Sequence, residues 1–476
     1  MARADVRRGT NRDARCLVPR LKLFVNQVNS GMGTEGWYRY RGYPHFDREV
    51  SRKKAEPIVT CPAQVARHAF FPFIQQPIVS THYKRTEGSA DQHKREIRRK
   101  RRSIFLAAHL DAQIYSYYAK LIGGLYDSAL QEWQISDVPI AYRSLNGKCN
   151  IDFAYEIFEY MRAQQDCCAI AMDVRGFFDN LDHEILKGRW TNLLGQQRLP
   201  DDHFKIFRSV TSYSFVTDRR LRRIPACRDF YLRPREEQRG QQIISAKEFR
   251  QRIRGEGYLL SNKEQKGIPQ GLPISPVLSN AYMIRFDQHI GKLVREFNGL
   301  YRRYSDDIMI VCPPEHACRI IDAVNDQLER HKLKVNEAKT EKAQFRHLND
   351  GSGELTRLDG KNGPFQYLGF QFDGDHIRIR DSSSTRFNRR MRRAVRRASK
   401  SNALGGTRPL PKRRLYERYT CYGKRNYVAY ANRAADRMDE PAIKAQLRNH
   451  CSALKREITR LSPNARSGIQ SSEVGN

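Results

Sequence analysis

The segment Leu300-Tyr301-Arg302-Arg303-Tyr304-Ser305-Asp306-Asp307-Ile308-Met309-Ile310-Val311 limits the fold more than any other stretch of this chain. It reads as strand, turn, strand, with Ser305, Asp306 and Asp307 at the turn. Two adjacent acids are thereby held at the edge of an apolar layer. At about 4 Å, two like charges repel by roughly 1–4 kcal/mol, depending on the effective dielectric. Such a pair needs cations, or one acid must keep its proton. Taken alone, an Asp-Asp pair is more often a solvated turn. A second acid weakens that reading. CCAIAMDV (167–174) is a short apolar run bounded by polar residues, the pattern of a buried strand ending at Asp173. Three carboxylates on neighbouring strands can hold two Mg²⁺ ions, with Mn²⁺ as the alternative cation. Such a pair activates a hydroxyl and stabilises charge in an in-line displacement at phosphate.

Charge points to the partner. Lys and Arg total 86 against 52 Asp and Glu, a formal balance of +34. That excess repels itself unless a polyanion offsets it, and nucleic acid is the obvious candidate. A merely soluble basic protein is the plainer alternative. The 476 residues suggest two or three structural units, and 39% hydrophobic content supports a real core rather than general disorder. The ten cysteines are scattered, with Cys167 and Cys168 adjacent and no CxxC pair. They suit reduced thiols in a cytoplasmic protein rather than a disulfide framework. Cys312, His316 and Cys318 are close in sequence, but that spacing is read as coincidence. No signal peptide is evident, and no run of about 18 apolar residues exists to span a membrane.

Along the chain, residues 1–95 form a basic N-terminal extension of weak periodicity, closing on a charged loop near 84–96. A basic β-like stretch then leads into an apolar helix from about Asp111 to Leu125. NIDFAYEIFEYMRAQ has Phe153, Ile157, Phe158 and Met161 at helical spacing. Residues 216–262 read as an arginine-rich insertion with its own hairpins and helix, and FQYLGFQF as a single strand. Beyond residue 381 the chain becomes helical and basic. Phe387, Met391, Ala394, Val395 and Ala398 make one apolar stripe, while Arg386, Arg389, Arg390, Arg393, Arg396 and Arg397 occupy much of the rest. A solvated surface helix would rarely carry six arginines without interleaved acids, so a phosphate backbone is the expected contact. SNALGGTRPLPK (401–412) breaks this region in two, and 463–476 read as a disordered tail.

A third motif joins the acids: Gly267-Ile268-Pro269-Gln270-Gly271-Leu272-Pro273-Ile274-Ser275-Pro276. Its Gly and Pro content allows close backbone approach, Gln270 offers an amide to a ligand, and Pro276 suits the first turn of a helix.

DVRGFFD, IPQGLPISP and YSDD, in that order, resemble motifs A, B and C of bacterial reverse transcriptases. Leu333-Lys334-Val335-Asn336-Glu337-Ala338-Lys339-Thr340 is similar to motif D, and Phe365-Gln366-Tyr367-Leu368-Gly369-Phe370 to motif E, the primer grip. SIFLAAHLDAQIYSYYAK and AYRSLNGKCNIDFAYEIF resemble the fingers motifs, so the likeness covers roughly residues 95–375. It implies an α+β right-hand polymerase: fingers and palm with antiparallel sheet over 96–380, then an α-helical basic thumb or C-terminal domain over 381–462.

The resemblance also implies roles. Asp173, Asp306 and Asp307 would be catalytic metal ligands, and Lys339 a general acid towards pyrophosphate. Phe178 matches the steric gate against a 2′-hydroxyl, and Gln270 would touch the incoming nucleotide. The cluster containing Arg98, Lys100 and Arg102 would clamp the triphosphate, with a solvated charge run as the alternative. Tyr367 and Gly369, with the arginine helix, would meet nucleic acid. The partners implied are dNTPs, an RNA template (a dedicated non-coding RNA among the options) and a DNA product; self-association as a homo-oligomer stays open. The QG-x-x-x-SP wording, IYSYYAK, the insertion and the helical basic C-terminus look most like the defence-associated "unknown group" enzymes, which make cDNA against phage. Two alternatives remain: a group II intron maturase relative lacking its endonuclease, and an RNA-binding scaffold on a polymerase fold.

Overall fold

The structure, a computed structural model, describes residues 36–85, 95–403 and 410–461. The strands are β1 (Phe73–Arg85), β2 (Arg95–Leu106), β3 (Asp166–Asp173), β4 (Ser214–Thr217), β5 (Leu260–Ser261), β6 (Leu300–Tyr304), β7 (Asp307–Cys312), β8 (Glu341–His347), β9 (Gly353–Arg357), β10 (Phe365–Tyr367), β11 (Phe370–Phe372) and β12 (Ile377–Ile379). With the helices they make an α+β protein of two units. Unit 1 comprises 1–142, 174–291 and 323–334; unit 2 comprises 143–173, 292–322 and 335–476. No helix of the described residues is long and apolar enough to cross a membrane.

In unit 2 the apolar run ending at Asp173 becomes β3, the middle strand of an antiparallel sheet ordered β6-β7-β3-β8-β9. Cys167, Cys168, Ala169 and Ile170 are all buried, which explains a run of apolar residues without alternation. Helix Asn150–Arg162 starts where Asp152 accepts the Cys149 backbone N–H at 2.7 Å, an N-terminal cap. Its Ile157, Phe158 and Met161 join Ala169, Met309 and Phe345 in one core. The same core takes in the small antiparallel sheet β10-β11-β12 and the helices Tyr427–Met438 and Pro441–Leu447. FQYLGFQF is therefore two strands rather than one. Leu368 (φ 42°) and Gly369 (φ 95°) form a two-residue turn between paired Tyr367 and Phe370, the left-handed backbone that the tightest hairpins require.

The basic helix spans Asp381–Ala403. Phe387, Met391 and Val395 are buried against Leu415, Tyr419, Val428 and Leu454, a second core in unit 2. The C-terminal region thus divides: one part packs with the sheet, the other forms its own small bundle.

Unit 1 is built on a long hairpin, with β1 and β2 paired from Ile74↔Leu106 to Arg85↔Arg95. The boundary expected near residue 95 falls inside this hairpin. Residues 216–262 do not contain the expected hairpins. Short helices bury Leu221, Cys227 and Phe249 against Phe46 and Ile74, while β4 pairs in parallel with β1. An arginine-rich composition hid these apolar positions, which pack on one another as well as on Phe46 and Ile74. The apolar helix is longer than expected, His109–Glu132, and Asp47 accepts the backbone N–H groups of His109 (2.9 Å) and Leu110 (3.1 Å) at its start. The centre of the charged loop, the middle of SNALGGTRPLPK and the expected tail lie outside the described residues.

The Gly-Pro loop meets β2 directly. Phe105 N–H donates to the Gln270 carbonyl at 2.8 Å, and a Cβ on Gly271 (φ +109°) would sit 2.7 Å from Ile104 Cγ2 and 3.0 Å from the Phe105 carbonyl. Gly271→Ala should therefore cost about 1–3 kcal/mol through clash and backbone strain. Chemical denaturation checks this, and an unchanged midpoint would contradict the packing described.

Candidate active site

The three acids are brought together by strand pairing within unit 2. β3 and β7 are antiparallel with Asp173 directly opposite Asp307. Side chains of such a pair leave the sheet on the same face, with Cα atoms about 4.5–5.5 Å apart. Asp306 precedes Asp307 in the two-residue turn that closes β6 onto β7, where Tyr304 pairs with Asp307. Ser305 takes the first turn position at φ 62°, and the buried Arg303 guanidinium donates to its carbonyl at 3.0 Å. A left-handed non-glycine residue is costly, and a fully buried arginine beneath it helps hold the conformation.

Electrostatics at the site are those of crowded anions. Asp307 is pushed up from 3.8 to about 6, first by desolvation and then by the charges of Asp306 and Asp173; Lys339 and Arg380 act in the opposite direction. Asp173 is tied down more firmly. Its carboxylate accepts the Asn336 side-chain amide at 2.9 Å and pairs with the Lys339 ammonium, and its carbonyl accepts Asn336 N–H at 2.7 Å. A single 3₁₀ turn, Glu337–Lys339, aims both side chains, since Lys339 N–H bonds back to the Asn336 carbonyl at 2.9 Å. Asn336 is the positioning residue that the sequence reading passed over. Its signal was the three-residue spacing to Lys339, which places both on one side of a turn. A carboxylate set that needs an ammonium to offset it fits a divalent cation, and Asp173, Asp306 and Asp307 are the residues that could hold one.

Tyr367 requires a correction. It is only 3% exposed, its ring lies in the sheet core, and its hydroxyl has no hydrogen-bond partner. Burial and the nearby charge of Asp307 hold its phenol well above the usual range. The ring therefore cannot be the surface that meets nucleic acid. The half-exposed Leu368-Gly369 turn is the accessible part of this hairpin, fixed by Asn150 Nδ2 to the Leu368 carbonyl (3.2 Å) and by Arg380 N–H to the Gly369 carbonyl (3.0 Å). Beside it in unit 2 lies a cavity of about 380 Å³ whose lining includes Gly369, Arg386, Arg390, Arg418 and Arg425. Arg386, Arg389, Arg390, Arg393, Arg396 and Arg397 are all exposed, and Arg396 also reaches Glu457 at 3.7 Å.

Unit 1 gathers the remaining residues. Ile268 N–H donates to the Phe178 carbonyl at 2.9 Å, so Phe178 and the Gln270 loop are joined through the backbone. Phe178 and Gln270 are both half-buried. Lys100 and Arg102 fall at alternate positions of β2, on the face shared by Ile104, the residue that meets Gly271, and Arg98 lies in the same strand. Lys100 and Arg102 are exposed; of Arg98 only its strand position is described. Cys312 is buried and His316 stacks on Phe297 at 4.2 Å, a packing role for each.

Comparison with known proteins adds a family. The profile described as "Reverse transcriptase (RNA-dependent DNA polymerase)" matches residues 135–372, half of the chain. No curated protein matches by sequence. Among solved structures, similar ones include apo telomerase from Candida tropicalis truncated from the C-terminal domain (10% identity, TM-score 0.39, 60% of this chain and 53% of that one). Another is apo telomerase from the same organism (11% identity, TM-score 0.39, 66% and 50%). A third is telomerase from Candida albicans in complex with a fragment of telomeric RNA (11% identity, TM-score 0.37, 89% and 68%). The aligned region spans about half the length of the first two.

The crowding of acids sets a pH signature in metal-free protein. Asp307 is raised in the fold, so between 3.8 and about 6 the folded state holds more protons than the unfolded one. Stability should fall as pH rises through that window and level off above it. The side chain is more than a third exposed on its solvent face, so water screens much of the repulsion and the effect is on the order of 1 kcal/mol. In EDTA, Asp307→Asn should be more stable than wild type at pH 7.5 by about that amount, with the difference gone near pH 4. Thermal melts across pH test this, and a less stable variant at pH 7.5 would rule it out.

Proposed function

Because this chain belongs to the reverse transcriptase family, we propose that it extends a nucleic-acid 3′-hydroxyl with dNTPs on an RNA template, using two Mg²⁺ ions at Asp173, Asp306 and Asp307. The observation that carries this reading is the Asp173↔Asp307 register, with Asp306 at the adjoining turn. When bound, the cations would lower the pKa of the attacking hydroxyl and neutralise charge on the transferring phosphate. Asn336 holds the Asp173 carboxylate in a fixed orientation through its amide. Lys339 balances Asp173 in the free protein; it would be released towards pyrophosphate when a cation takes that carboxylate, which suits a general acid.

Phe178 supports deoxynucleotide use. A bulky ring fixed by the backbone bond to Ile268 leaves little room for a 2′-hydroxyl. Gln270 is held by its carbonyl bond to β2, which leaves its amide for the nucleotide. Lys100 and Arg102, exposed on the β2 face that continues from Gly271, suit a triphosphate. The cavity between the Leu368-Gly369 turn and Arg386, Arg390, Arg418 and Arg425 suits the phosphate backbone of template and primer. We further propose that the template is a companion non-coding RNA and that the cDNA serves defence against phage. The support is the wording of the motifs, the insertion and the helical basic C-terminus.

Asp306→Asn should abolish Mg²⁺-dependent dNTP incorporation, and with it the cDNA that co-purifies with the wild type. Primer extension and sequencing of bound nucleic acid measure both, and undiminished synthesis would sink the assignment. Phe178→Ala should raise ribonucleotide incorporation at least tenfold relative to dNTPs, a shift of about 1.4 kcal/mol in discrimination. An unchanged preference in single-nucleotide extension would remove Phe178 as the gate.

A further inference from the structure

Among the described residues, one cluster of three metal-ligating side chains has its ligand atoms all within 4.8 Å of one another: Cys421, His450 and Cys451. It lies in the C-terminal bundle of unit 2 and takes no part in the polymerase site. Cys421 follows helix Lys412–Tyr419, in the linker to helix Tyr427–Met438. His450 and Cys451 open helix His450–Arg460. The two halves of the cluster are 29 positions apart in sequence, and the fold alone unites them.

The imidazole is prepared as a ligand. A carbonyl only accepts, so His450 Nδ1 must donate its proton to the Leu447 carbonyl at 2.6 Å. Nε2 is then the unprotonated nitrogen, and it accepts the Cys421 backbone N–H at 3.2 Å, a bond that a metal would replace. A histidine whose other nitrogen is tied to a backbone carbonyl is the usual arrangement around a protein-bound metal. Both thiols are free, Cys451 and His450 are half-buried and Cys421 is exposed.

We propose that Cys421, His450 and Cys451 bind one Zn²⁺ that ties the linker after helix Lys412–Tyr419 to the start of helix His450–Arg460. Two thiolates and an imidazole favour zinc over the hard cations that aspartates take, and a water or exogenous ligand completes the tetrahedron. Sulfur and nitrogen at about 2.3 and 2.0 Å from the metal require the three side chains to draw inwards slightly. The site matters because the surrounding bundle is small. Its core rests on residues such as Phe387, Met391, Leu415 and Leu454, and the linker is otherwise held by Asn426 Nδ2, which donates to the Glu417 and Thr420 carbonyls at 2.8 and 2.7 Å. That linker carries Arg425, which lines the arginine cavity, and Tyr422, which is 73% exposed. A metal there fixes the linker that presents Arg425.

The test uses the full-length protein, purified under reducing conditions without a metal-affinity step. Elemental analysis should find about one zinc per chain. Replacing zinc by Co²⁺ should give thiolate-to-cobalt charge-transfer and tetrahedral d–d absorption. Cys451→Ser and His450→Ala should weaken Zn²⁺ binding at least tenfold and erase the cobalt spectrum, whereas His450→Cys should retain both. Asp306→Asn should keep its zinc, which separates this site from the polymerase reading. Should Cys421→Ser or Cys451→Ser misfold, the His450 pair still decides. Wild-type protein with neither zinc nor a cobalt spectrum would overturn the proposal. So would mass spectrometry finding Cys421 and Cys451 joined as a disulfide in protein reconstituted with Zn²⁺.

Discussion

The site depends on one strand register. Asp173 faces Asp307 because β3 and β7 pair Ala169 with Val311 and Ala171 with Met309 below them. Side chains alternate between faces with a period of two residues, so a slip of one would exchange Met309, Val311 and Ala169 with Ile308, Ile310 and Ile170, which are packed on the opposite buried face. Burial therefore fixes the register, and the register forces like charges together. The acids stay close although they repel, because the sheet beneath would lose more by shifting than they would gain by separating. Ser305 in left-handed backbone is a second consequence: the turn is held by Arg303 from below and by the paired strands on either side.

The same economy explains how a chain of +34 arranges its cations. Some arginines are spent internally. Arg357, 7% exposed, joins Glu341 at 2.9 Å, and Arg302 joins Glu156 at 2.5 Å. The arginines of helix Asp381–Ala403 that flank its apolar stripe are instead exposed, with Arg396 also reaching Glu457 at 3.7 Å. Small bundles tolerate such a face when an anion covers it, which links packing of Phe387, Met391 and Val395 to a phosphate-lined partner.

Much of this was legible before the structure. The β3 run, the aspartate turn, the amphipathic helix 150–162 and the arginine stripe all follow local periodicity, and local periodicity is what a sequence displays openly. The parts that were not legible share a different physics. FQYLGFQF looked like one strand because its two-residue break puts Leu368 in left-handed backbone, which leucine does not signal, beside a single Gly369. Tyr367 looked like a contact residue, yet its neighbours in the folded core come from helices far along the chain. The 216–262 segment packs its apolar positions on one another, through helices too short to show a period, and on Phe46 and Ile74. Asn336 was in plain view, but only the turn that points it at Asp173 gives it a role.

Long-range assembly also decides which cysteines meet. Cys312, His316 and Cys318 are neighbours in sequence, and the structure gives the first two packing roles. Cys421 is separated from His450 and Cys451 by two helices, and the bundle closes them into a cluster. Unit 2 thus offers cations two chemically opposed environments: carboxylate oxygens at the end of the sheet, and sulfur with imidazole in the bundle. Hard cations that retain their water favour the first, and zinc favours the second by ligand softness.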